Sequence, residues 1–466
     1  MVLQCLPTRP GQPADRPEYF DHRYVLPVHQ EYPLSKINWH EVDDALEFFE
    51  EPHVYMNRTT GRPVPISMTS VAHSCQEHFD AQLVISKMKT SRKGWPRVKY
   101  VKNAVLVDRE DVALQNEYLR QDRGAMLVSG ETTLVSLKPY DMSESVYGPA
   151  MLVALNAMHP KRNRDDAPNE CYSYERVLTD EEIVNMWALN GEDARNRGTE
   201  AHLQLQLAVE AAPFRRDDPE VVVGLRFFDC ISDEWRPYRA EWEIEYEGVA
   251  GSIDLIIARG GQDVDDGPLE LAIVDYKRSV DLPNKMRDAY GKKMTGALAH
   301  LDDCDGAGYA LQLSGYQYVL QKLGFVVVDR VLMSVHPDRP FCTSVPYLKD
   351  EISYLMEERF ALNAARESCS MRCPLCDEPL HDAVVVTDPE GREIVVDRKI
   401  AQVKKLPILR DDDETTKVVR EHVESVIVPP TIPTFALTWK KLMPPSGHIR
   451  PTFFREDAPT DGKGLA

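Results

Sequence analysis

The order strand, strand, strand, helix, strand between Ala240 and Val335 predicts an α/β fold, a mixed central sheet flanked by helices. Three observations carry that reading. Ala240, Trp242, Ile244 and Tyr246 alternate with Glu241, Glu243 and Glu245, so this stretch reads as a half-buried strand. Two short apolar runs, Ile253 to Ala258 and Leu271 to Val274, lie on either side of the turn-rich Gly260-Gly261-Gln262-Asp263 and read as the strands of a hairpin. Tyr309 to Leu323 is helical in character and stops at Gly324, after which Phe325 to Val328 and Val331 to Val335 read as two further strands.

The flanking elements follow in chain order. Residues 1 to 35 carry Pro7, Pro10, Pro13, Pro17, Pro27 and Pro33 without periodicity, the signature of a disordered arm. From Ile37 to Phe49 the apolar positions Trp39, Val42, Ala45, Leu46 and Phe49 recur at helical spacing, and a hairpin follows at Thr60-Gly61. Ser67-Met68-Thr69-Ser70-Val71 offers hydroxyl caps before a helix running to Met88, so residues 36 to 105 read as an N-terminal helical part. Residues 106 to 178, with Pro139, Pro149, Pro160 and the charged stretch Lys161 to Asp166, read as an insertion or lid. Thr179-Asp180-Glu181-Glu182 makes a capping box ahead of Ile183, Met186 and Trp187 and opens the core, residues 179 to 345. A charged helix from Asp350 to Arg366, a cysteine cluster and a hairpin about Pro389-Glu390-Gly391 make a module over 346 to 428. The proline-rich remainder, 429 to 466, reads as a disordered tail.

A chain of 466 residues, 43% of them hydrophobic, can bury more than one core. It has no run approaching the roughly 18 apolar residues of a membrane span and no apolar signal core at its start, so we expect neither membrane insertion nor secretion. Nine cysteines are too few for a disulfide scaffold, which points to cytoplasm or nucleus. A net charge of -20, from 55 basic and 75 acidic residues, excludes coating nucleic acid by bulk charge. A nucleic-acid enzyme needs only a local basic track beside a carboxylate-rich site. Lys87, Lys89, Arg92, Lys93, Arg97, Lys99 and Lys102, interleaved with Trp95 and Tyr100, form such a track. They read either as a phosphate-binding surface or as a solvated basic loop.

The chemistry concentrates between Gly198 and Tyr316. Asp254 interrupts an apolar strand in Gly251-Ser252-Ile253-Asp254, and Ile273-Val274-Asp275-Tyr276-Lys277 puts a second aspartate at the end of the next. Buried carboxylates are costly unless paired or metal-bound. Alternation places Asp275 and Lys277 on one strand face, where a carboxylate can hold a divalent cation while an ammonium steers water and offsets phosphate charge. A surface salt bridge is the competing reading. His202 follows a Gly198-Thr199 turn, and Gln312 and Tyr316 stand at i and i+4 on one helix face.

Together these elements resemble the PD-(D/E)XK nuclease superfamily in its RecB-like exonuclease branch, as found in large DNA viruses and protists. The resemblance runs through Ser67-Met68-Thr69-Ser70, Trp187, Gly198-Thr199-x-x-His202, Glu241-Trp242, Gly251-Ser252-Ile253-Asp254, Asp275-Tyr276-Lys277, Gln312-x-x-x-Tyr316 and His336-Pro337. It implies a restriction-endonuclease-like core and a Mg- or Mn-dependent DNA nuclease, exonuclease-like, in repair, recombination or replication. It further implies that Asp254, Asp275 and the Tyr276 carbonyl hold the metal, that His202 completes its shell, that Lys277 orients the water, and that Gln312 and Tyr316 position the scaffold or the DNA. Two features depart from the pattern. Gln206 stands where viral relatives have a glutamate, with Glu210 one turn on, and Leu203, Leu205 and Leu207 alternate like a strand where the resemblance implies helix.

Cys369, Cys373, Cys376 and His381 supply three thiolates and an imidazole, a set that fits a structural zinc; free cysteines in a loop are the alternative. The segment also faintly resembles a U-box or treble-clef module, which would bind a protein partner. The competing functions are therefore an inactive nuclease-fold DNA-binding subunit and an interaction or ubiquitin-ligase-like protein.

Overall fold

A computed structural model describes residues 34–49, 52–77, 79–90, 100–105, 127–129, 132–140, 171–261, 267–287, 291–389, 391–435, 437–444 and 446–458. The expected N-terminal arm, apart from Leu34 and Ser35, which are helical, and most of the expected insertion lie outside them. The elements in chain order begin with α1 (Leu34–Ile37), β1 (Leu46–Phe49), β2 (Val54–Asn57), β3 (Arg62–Pro63), β4 (Ile66–Ser67), α2 (Met68–His73) and α3 (Ala81–Thr90). There follow β5 (Val101–Val105), β6 (Leu127–Ser129), β7 (Thr132–Tyr140), β8 (Cys171–Val177), α4 (Asp180–Val209), α5 (Pro219–Phe228), β9 (Arg236–Tyr246), β10 (Val249–Arg259) and β11 (Glu270–Lys277). Then come α6 (Leu282–Lys285), α7 (Asp305–Lys322), β12 (Val326–Ser334), β13 (Phe341–Ser344) and α8 (Lys349–Glu367). The last are β14 (Ala383–Thr387), β15 (Glu393–Asp397), α9 (Arg398–Val403), β16 (Ile408–Asp411), α10 (Asp413–Val426) and α11 (Trp439–Leu442). No helix among the described residues is long and apolar enough to cross a membrane.

Two compact units result, Met1–Glu77 with Ala194–Ala466, and His78–Asp193. The larger is built on a six-stranded mixed sheet in the order β13-β12-β11-β10-β4, with β9 also paired to β10. β10 and β11 pair antiparallel, β11 and β12 parallel, with α7 in the crossover between them. Alternate residues explain why the strands read as continuous apolar runs, since both sheet faces are buried. Ile256, Ala258, Leu271 and Ile273 join a cluster with Ala307 and Leu311 of α7 and Met68 of α2. Leu255, Ile257, Ala272 and Val274 face the other way, toward Leu205 of α4, Val221 and Leu225 of α5, and Phe453. A second sheet, β15-β14-β16, packs Val384, Val386 and Val396 with Cys369, Cys373 and Ile400. The smaller unit holds a four-stranded sheet in the order β5-β8-β7-β6, with Ile85, Tyr100 and Ile183 buried together. It begins before residue 106 and therefore includes α3.

Several expectations need correction. Ile37 to Phe49 is not one helix: a 3₁₀ turn, Glu41–Asp44, is capped by His40, and β1 then pairs antiparallel with β2. The helical spacing of Trp39, Val42 and Ala45 comes from the i,i+3 period of that turn. The helix opened by Ser67, whose hydroxyl accepts from Ser70 N at 3.2 Å, stops at His73, and α3 starts afresh at Ala81. Residues 326 to 334 are one strand rather than part of two, because Asp329 and Arg330 sit inside the ladder. Asp329 is only 3% exposed and its carboxylate accepts from Ser344 Oγ at 3.0 Å and from Thr452 N and Oγ1 at 2.8 Å each.

Those last bonds overturn the disordered tail over its described residues, which end at 458. Trp439 is 1% exposed and donates its indole N–H to Met286 O at 2.9 Å, Phe453 is fully buried, and Ser344 N donates to Ile449 O at 2.8 Å. Prolines exclude helix and central strand but not an extended segment pinned by buried aromatics. Trp439→Ala should therefore cost about 3–5 kcal/mol in urea denaturation, where a solvated tail would show no change.

Candidate metal centre

The sheet brings carboxylates from three strands into one row. The registers Leu255↔Ala240 and Leu255↔Val274, continued by one residue, set Asp254 between Glu241 on β9 and Asp275 on β11. Asp254 interrupts the ladder itself, since its Oδ2 accepts the backbone N–H of Tyr276 at 2.6 Å. Glu241 has φ of 44°, a left-handed conformation that strains a residue with a Cβ. The register alone sets Glu241 across from Asp254, and the kink falls at that point of the strand. Its Oε2 accepts from Ser252 Oγ at 3.1 Å, whereas Oε1 is buried without a hydrogen-bond partner.

His202 completes the group from α4. Its Nε2–H donates to the Tyr276 carbonyl at 3.1 Å, which fixes the ring and leaves Nδ1 at 3.5 Å from Asp254 Oδ2 and 3.7 Å from Glu241 Oε1. Donor atoms of His202, Glu241 and Asp254 all lie within 4.8 Å of one another, and among the described residues this is the one such group of histidine, cysteine or acidic side chains. Burial opposes a charged imidazole, yet Asp254 and Glu241 outweigh it and raise His202 to about 9. Burial likewise pushes the Asp254 carboxyl upward against the pull of His202. The cluster is thus a place where positive charge is wanted.

Asp275 stands outside this trio and is held by Lys277, whose Nζ lies 2.6 Å from its Oδ2 on the face toward α7. Burial raises Asp275 to about 6, and against burial the two carboxylates Asp275 and Asp254 keep the Lys277 ammonium firmly protonated. The ammonium also lies 5.0 Å over the Tyr309 ring. Past Lys277, Arg278 and Arg197 share Glu220, at 2.9 Å and 2.6 Å, tying the end of β11 to α4 and α5.

Gln312 and Tyr316 support the site from α7. Gln312 Nε2 donates to Tyr316 Oη at 3.0 Å, and both residues are buried. The Tyr316 ring lies so close to Gly251 that a Cβ there would stand 2.7 Å from Tyr316 Cε1 and 3.2 Å from Met68 Cβ. Gly251→Ala should therefore destabilise by about 1–3 kcal/mol, read as a lower urea midpoint. An unchanged midpoint would mean this contact yields freely.

Other expected residues are placed differently. The Tyr276 carbonyl accepts the His202 Nε2–H and so orients the imidazole, with one lone pair engaged. Lys87 and Lys89 are exposed on α3, with Lys89 ion-paired to Asp180, while Arg92, Lys93, Arg97 and Lys99 lie outside the described residues. Cys369, Cys373, Cys376 and His381 do not gather as a metal-holding group. Cys373 and Cys376 do meet; a hydrogen bond from the Cys376 thiol, helped by the backbone amides of Asp397, Leu375 and Cys376, lowers Cys373 to about 6. His381 instead faces buried Asp397 at 3.7 Å. Glu241 is the site residue that sequence reasoning missed as a donor; its one signal was its place in the Glu241-Trp242 pair. Neither a protein-family profile, nor a curated protein, nor a solved structure matches this chain.

Proposed function

We propose that the chain is a divalent-metal-dependent nuclease that hydrolyses phosphodiester bonds of DNA. The observation that carries this reading is the row of Glu241, Asp254 and Asp275 with His202 at one side and the Lys277 ammonium at the other. A buried Glu241 oxygen without a hydrogen-bond partner and a ring nitrogen turned toward two carboxylates fit a small divalent cation. His202, Glu241 and Asp254 would hold it, and the nitrogen donor favours Mn over Mg. Such an ion supplies charge neutralisation for the phosphate and a more acidic water. Lys277 is a poor base, because its neighbours keep it protonated. Its task is to stabilise the charge that builds on the phosphate oxygens, with Asp275 and Tyr309 fixing its position. Gln312 and Tyr316 hold β10 at the depth the site requires.

The test uses protein freed of metal and supplied with end-labelled linear, nicked or circular DNA in Mn, Mg or chelator. Metal-dependent loss of the linear substrate, with circles spared, is the expected result. Absence of cutting with every substrate in either metal would leave an inactive DNA-binding subunit as the better reading.

A further inference from the structure

We infer that a cleft opening from Glu241 to Trp39 is a stacking subsite for an unpaired nucleobase of the strand whose phosphate occupies the metal centre, and this rests on the nuclease reading. The cleft, of about 290 Å³, is lined by Lys36, Trp39, Asp43, Arg239, Glu241 and Trp242, among others. That volume is at the small end for a ligand site and suits one nucleotide, not a duplex. Glu241 belongs to both the cleft and the metal-holding group, so a strand bound at one is delivered to the other.

One wall of the cleft is already satisfied. Arg239 grips Asp43 with bonds of 2.8 and 2.7 Å, Trp242 Nε1 donates to the same carboxylate at 2.7 Å, and the guanidinium lies 4.5 Å over the Trp242 ring. Arg239 and Asp43 thereby neutralise each other. Beyond that pair the lining offers the Trp39 indole and the Lys36 ammonium, with the carboxylates of Glu241 and Glu243 along the strand that leads to the metal-holding group. Trp39 is 59% exposed, an expensive placement for the largest apolar side chain, and no hydrogen bond or ion pair among the described residues engages Lys36. An aromatic face beside a cation, next to a phosphate-handling centre, is the arrangement by which proteins hold single strands: the base stacks and the adjoining phosphate is neutralised. Bases stacked inside a duplex present no free face, so the subsite selects a single-stranded segment or a frayed end.

The experiment is a binding cycle with the full chain and a fluorescein-labelled single-stranded oligodeoxynucleotide in Ca²⁺, read by anisotropy. One base at a time is replaced by an abasic unit. Trp39→Ala should weaken binding by about tenfold or more, Trp39→Phe much less, and a duplex of the same sequence should show little dependence on either. At one position the abasic unit should weaken the wild type as Trp39→Ala does, and the two changes together should cost no more than one. Independent effects at every position, unchanged affinity of Trp39→Ala, or no binding by the wild type would overturn the subsite. If the cycle closes as expected but the wild type cuts no DNA in Mn or Mg, the nuclease reading fails and the stacking site stands.

Discussion

Lys277→Met should slow single-turnover DNA cleavage by about 10²–10³-fold or more while leaving Mn affinity nearly unchanged. Methionine keeps the length that lies over Tyr309 but removes the only charge available to the phosphate from β11. Separation of rate from metal binding is the informative feature, because in the proposed mechanism Lys277 stabilises developing charge and the ion is held by other residues. Removing the ammonium also leaves Asp275, 3% exposed, without its partner, so stability falls as well. The assay is therefore run where a denaturation curve shows the variant folded. Lys277→Arg should recover little, since a planar fork does not replace a compact ammonium. Equal rates for Lys277→Met and wild type at saturating Mn would remove Lys277 from the chemistry.

The second large effect falls on the metal. Asp254→Asn and Glu241→Gln should each weaken Mn binding by more than about 100-fold, because loss of a mere outer partner of a ligand already costs about 10–100-fold. Their signature in stability is opposite to that of a structural residue. Carboxylates crowded in one row repel each other, so Glu241→Gln should hold or raise the melting temperature of the metal-free protein while losing the increase that Mn gives the wild type. A melting temperature that falls with Mn response intact would make Glu241 a scaffold residue only.

That Asp254, Asp275 and Lys277 lie together was legible because polar residues in apolar strands violate the local pattern. Glu241 was not legible as a donor. In its own strand it obeys the alternation, as Glu243 and Glu245 do, and only the register with β10 sets it beside Asp254. The sheet core could be read from β10 and β11, which are apolar on both faces, whereas β12 was split in two by Asp329, whose partners Ser344 and Thr452 lie 15 and 123 residues away. The C-terminal aromatics were obscured by prolines for the same reason: their binding sites, Met286 O among them, are distant in sequence. What pattern cannot give is a partner that is not local.

The most direct measurement is pulsed electron paramagnetic resonance of Mn²⁺ added to metal-free protein. About one Mn should bind per chain, with coupling to a single imidazole nitrogen that disappears in His202→Ala, and no high-affinity Mn should bind to Asp254→Asn. Mn bound without nitrogen coupling, or bound as tightly by Asp254→Asn as by the wild type, would contradict this assignment of the metal centre.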